Sequence, residues 1–105
     1  MHEPDYLYLC HQVREFSFMF GPGPLGIVLD NNSGAGPSTM VSSFTDVTPP
    51  GVTGEPQVKE GMGLAVGDLV SKINGEGVTD LTHEQVLWHL RKPRPILIHF
   101  IGYYR

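Results

Sequence analysis

From residue 13 onward, apolar and polar positions alternate with a period of two. Phe16, Phe18 and Phe20 fall on one side, and Ser17 and Met19 on the other. That spacing predicts a strand with one buried face. Gly21-Pro22-Gly23-Pro24 must break it, and Ile27-Val28-Leu29 then reads as a short buried strand closed by Asp30. Residues 31 to 39 are rich in Asn, Ser, Gly and Pro and predict a loop, with a third strand following over 41 to 47. Prolines and glycines punctuate 48 to 63 and leave room for one short helical turn over 57 to 60, before Gly61. Leu69-Val70-Ser71-Lys72-Ile73 is a strand ending in the turn dipeptide Asn74-Gly75, so a short strand near Val78 completes a hairpin.

The long helix starts at Thr82, which forms a T-x-x-Q capping box with Gln85, and Pro93 ends it. His83, Leu87 and Leu90 follow an i, i+4, i+7 spacing and share a face, with Val86 beside them. A core stripe explains Val86 and Leu90, whereas a histidine leading the stripe fits a half-exposed groove edge better. Trp88 lies roughly opposite and is expected to pack against another segment. The run Ile96-Leu97-Ile98-His99-Phe100-Ile101 is apolar on both faces, as in a central strand. The predicted order is β-β-β, a short helix, β-β, a long helix and a last β. Residues 1 to 12, with Tyr6, Leu7, Tyr8 and Leu9 among Pro4 and Asp5, form an extension without an assignment.

Composition narrows the function. A chain of 105 residues, 40% hydrophobic and 17% charged, suits one folded domain. A formal net charge of -4 provides no footprint for nucleic acid, and Arg91, Lys92 and Arg94 read as a solvated helix end. The single cysteine, Cys10, excludes an internal disulfide and fits a reducing compartment. No apolar run has the length of a membrane span, and the first residues lack a secretory pattern, so direct membrane insertion is not expected.

Catalytic motifs do not hold up either. Gly21-Pro22-Gly23-Pro24-Leu25-Gly26 has the G-x-G-x-x-G spacing of a dinucleotide site, with Asp46 downstream. Yet its prolines remove two amides, and a strand rather than a helix follows it. G-x-S-x-G is absent. His83 and His89, six positions apart, point about 240° from each other on a helix and cannot share a metal. No catalysis, cofactor or metal is expected.

Pro24-Leu25-Gly26-Ile27 resembles the carboxylate-binding loop of PDZ domains. Gly63-Leu64, Val66-Gly67-Asp68-Leu69-Val70 and Ile73-Asn74-Gly75 are similar to that family's L-x-x-G-D-x-I-x-x-I-N-G stretch, and Leu81-Thr82-His83-Glu84-Gln85-Val86 to the start of its second helix. The three motifs stand in the family's order and span roughly residues 13 to 103, so the domain is drawn as 13–105. Their order is that of intracellular scaffold members and not the permuted order of bacterial-type proteases. The fold implied is α+β, mainly β: a small antiparallel sandwich or partly open barrel of five to six strands capped by two helices.

The resemblance also implies a function. A partner's free C-terminal tail would add to the edge of the second strand and lie under the long helix. Its carboxylate would be held by the amides of Leu25, Gly26 and Ile27, with Pro24 stiffening the loop and Gly26 admitting the carboxylate closely. Val28, Leu29, His83, Leu87 and Leu90 would complete the groove, which favours Val, Ile or Leu as the last residue. His83 would select Ser or Thr two residues earlier. Phe20 stands where many members carry Arg or Lys, leaving three amides to hold the tail at roughly micromolar strength. The partners implied are tails of membrane receptors, channels or signalling proteins. The compartment implied is the cytoplasm, at the membrane periphery where such partners hold the domain. The alternative is a docking, dimerisation or regulatory module of a larger protein with an unused groove.

Overall fold

The alternating phenylalanines form a strand, β1 (Val13–Phe20), in the computed structural model of the chain. The structure describes residues 13–34, 36–48 and 50–103. Residues 1 to 12, with Cys10 and the apolar stretch Tyr6 to Leu9, lie outside the described residues. After β1 come β2 (Ile27–Asn31), β3 (Thr39–Phe44), β4 (Leu69–Ile73), β5 (Glu76–Gly77), one helix, α1 (His83–His89), and β6 (Ile96–Tyr103).

All six strands belong to one antiparallel sheet in the order β1-β6-β4-β3-β2, with β5 paired to β4 off this path. The sheet is not closed, and α1 is the one helix among the described residues. The architecture is therefore mainly β, as expected: one open antiparallel sheet of six strands, within the expected five to six, with a single short helix among the described residues in place of two. The missing helix is the turn expected over 57 to 60. The N–H of Gln57 donates to the Pro24 carbonyl (3.1 Å) and that of Val58 to Leu25 (3.0 Å). These two bonds lay the segment beside the loop, and the turn that does form closes later, from the Met62 N–H to the Lys59 carbonyl (3.3 Å).

β6 lies between β1 and β4, as its two apolar faces predict. It pairs with β1 over eight positions, from Val13↔Tyr103 to Phe20↔Ile96. Phe20, Ile73, Ile96, Ile98 and Phe100 fill the core together with Val41, Val58, Leu64, Val70, Val78 and Val86. Phe16 stacks on Phe100 with ring centroids 5.9 Å apart, and Phe18 meets Phe100 edge-on at 6.2 Å. The Asn74-Gly75 turn has positive φ at both residues, 51° and 83°, as a tight hairpin requires. No helix among the described residues is long and apolar enough to cross a membrane.

Candidate functional site

β2 stands at the end of the sheet, paired to β3 only. The N–H of Thr45 donates to the Gly26 carbonyl at 3.0 Å, and the Ser42 hydroxyl donates to the Val28 carbonyl at 3.1 Å. Those two carbonyls point toward β3. Because main-chain groups alternate along a strand, the polar groups of Ile27 and Leu29 point the other way, to the open edge. The Asn31 N–H, next in that series, is taken by the Asp30 carboxylate at 2.8 Å.

The loop before β2 is held from its carbonyl side. Gln57 uses its side-chain amide as a clasp: Oε1 accepts from the Gly21 N–H (2.8 Å), while Nε2 donates to the carbonyls of Gly21 (2.9 Å) and Pro24 (3.3 Å). Arg94 Nη1 donates to Gly21 (2.7 Å) and Gly23 (3.2 Å). Among the described residues, no bond of the loop uses the N–H of Leu25 or Gly26. Gly26 has φ +92°, and a Cβ there would strike the Val58 carbonyl oxygen. The constraint on this glycine is thus the backbone of 57 to 58 crossing beneath it, a neighbour that the sequence does not reveal.

α1 starts beside the far end of β2, and the segment after it returns to the loop before β2. The capping box at its start is formed, with Gln85 N–H donating to Thr82 Oγ1 (3.2 Å) and Thr82 N–H to Gln85 Oε1 (2.9 Å). His83 Nδ1 lies 2.8 Å from the hydroxyl of Thr39, the residue paired with Asn31 at the far end of β2. Just past the other end of the helix, Arg94 reaches the loop at the near end of β2. The two contacts bracket the open edge.

The expected site residues divide accordingly. Leu25, Leu29, Leu87, Leu90 and His83 are half-buried. Leu25, Leu29 and Leu90 pack on the margin of one core. Ile27 is only 7% exposed and belongs to that core, so its side chain has little surface to offer. Pro24 and Gly26 are buried. Val28, expected in the groove, is 41% exposed on the sheet face opposite Ile27 and Leu29 and is separated from the others by the pleat. Trp88, expected to pack, is 62% exposed, and its ring contact is an edge-on one with His89.

Two depressions flank this edge. One, of about 540 Å³, is lined by Asn31, Ser38, Thr82, His83 and Glu84. The other, of about 490 Å³, lies behind Gly26 with Asp46, Glu55 and Glu60 among its walls, of which Glu55 is paired with Lys59 (3.9 Å), so the remaining charge is acidic and disfavours a carboxylate. Sequence reasoning missed Thr39, Gln57 and Arg94. Each acts across more than thirty positions of chain, and no local pattern marks such a partner. No protein-family model matches the chain, and no curated protein matches it.

Proposed function

We propose that the chain is a PDZ-type recognition module that captures the free C-terminal tail of a partner protein by adding it as a strand to β2, without chemistry on it. The observation that carries this reading is the open edge of β2, with unspent loop amides at one end and His83 at the other. An extended tail gains register from the main-chain groups of Ile27 and Leu29. Its carboxylate meets the N–H groups of Leu25 and Gly26, and its last side chain lies among Leu25, Leu29, Leu87 and Leu90. Apolar walls favour Val, Ile or Leu there and reject a charge.

The test is fluorescence polarisation with a labelled peptide ending in Thr-Xaa-Val, compared with its C-terminal amide. The free acid should bind at least about tenfold more tightly, because hydrogen bonds to an ionised acceptor are roughly twice as strong as neutral ones. Equal binding of the two forms would defeat the tail-capture reading and leave β2 as a docking edge.

A further inference from the structure

We infer that Arg94 supplies the positive charge that a bound C-terminal carboxylate meets at the loop before β2, an assignment that rests on the tail-capture reading. Three observations converge on it. First, Arg94 is half-buried against the loop instead of forming the solvated helix end that its sequence neighbourhood suggests. Two carbonyls, those of Gly21 and Gly23, fix its Nη1 there at 2.7 and 3.2 Å.

Second, a guanidinium carries five N–H donors in a planar fork. Nη1 has spent its two. Among the described residues, Nε and Nη2 have no acceptor, and no carboxylate lies within ion-pair distance. The contrast is Arg14, the half-buried arginine of β1, whose charge is matched by Asp68 at 2.6 Å. A partly desolvated cation without an acid calls for an anion, and the same loop presents the unspent N–H groups of Leu25 and Gly26.

Third, the one cation of β1, Arg14, is already paired with Asp68 at the end of the strand away from the loop. Phe20, the residue that leads into the loop, is 0% exposed in the core, where a charged side chain would be desolvated. The charge is delivered from the segment between α1 and β6 instead. A carboxylate is the anion that fits, because an open strand edge leads to it and places the end of an extended chain at the loop.

The experiment compares the parent with Arg94→Gln and Arg94→Lys, using one peptide as free acid and as amide, at low and high salt. Arg94→Gln should weaken the free acid by about tenfold and leave the amide unchanged, flattening the salt dependence of the acid. Arg94→Lys should recover most of the loss. In the parent itself, the Arg94 Nε–H resonance should shift on adding the acid and not the amide, a reading independent of how the variants fold. If the parent separates acid from amide but Arg94→Gln separates them equally well, or if both forms weaken together, Arg94 only braces the loop and the inference is wrong. If the Nε–H resonance ignores the acid, it is equally wrong. If the parent does not separate the two forms, the tail-capture reading itself fails.

Discussion

His83 and Thr39 share one hydrogen bond whose direction decides what the histidine offers to a ligand. With the proton on Nδ1, the ring donates to the Thr39 hydroxyl 2.8 Å away and leaves Nε2 as an acceptor. With the proton on Nε2, the hydroxyl donates and the ring presents a donor instead. A ligand hydroxyl two residues before a C-terminus can serve either form, whereas a valine there serves neither. The parent should therefore prefer Thr to Val at that peptide position by roughly 1 kcal/mol, the net value of one hydrogen bond. Thr39→Val keeps the buried shape but unties the ring, so it should reduce this preference; Thr39→Ser should keep it, and His83→Val should invert it. Calorimetry with two peptides differing only at that residue measures all four proteins. A Thr39→Val domain that discriminates as well as the parent would show that Thr39 contributes packing alone. His83 was legible in the sequence because a histidine on an otherwise apolar helical stripe is out of place. Thr39 was not, since a threonine opening a strand is ordinary until the fold buries it beside a ring 44 positions away.

At the scale of elements, whatever is closed by neighbours in the chain was readable. The Thr82–Gln85 box, the Asn74-Gly75 turn and the alternation of β1 each depend on residues within a few positions. In place of the turn expected over 57 to 60, Gln57 and Val58 are tied to Pro24 and Leu25 and a turn closes over 59 to 62, and no local pattern reveals that tertiary tie. The pairing order of the strands was also out of reach, since it depends on contacts between distant segments. α1 itself, at seven residues, is too short to persist alone and relies on its cap and on Val86 in the core. Thr82→Ala removes the acceptor for the Gln85 N–H and should cost about 1 kcal/mol. In a domain of this size that corresponds to a fall of about 4–8 °C in melting temperature, measurable by circular dichroism. An unchanged melting temperature would mean that packing alone holds the first turn.

Across the whole molecule, the outer strand β1 is fastened at two ends that serve different purposes. At the end leading into β2, the loop is tied by Gln57 and Arg94, and ligand binding is proposed there. At its beginning, Arg14 Nη2 donates to Asp68 at 2.6 Å and Nη1 to the Gly63 carbonyl at 2.8 Å, while the Asp68 carboxylate also accepts from the Ala65 N–H at 2.8 Å. Asp68 is 4% exposed, and a Cβ on Gly102 would strike its carboxylate, so the residue is enclosed by β6. Removing one partner of a buried pair strands the other charge and commonly costs 3–5 kcal/mol. Arg14 retains a 24% exposed side chain through which water can solvate it. Asp68→Ala should therefore fall near the lower limit, destabilising the domain by about 3 kcal/mol in urea unfolding. Arg14 and Gly21 are separated by about 23 Å of extended chain at roughly 3.3 Å per residue, beyond the distance at which substitutions usually couple. Under conditions where the Asp68→Ala domain remains folded, its affinity for a C-terminal peptide should equal the parent's. With Arg94→Gln added, the stability losses should sum and the binding loss should be that of Arg94→Gln alone. A change of peptide affinity in Asp68→Ala by itself would show that the two ends of β1 communicate through the sheet, contrary to their treatment as separate fastenings.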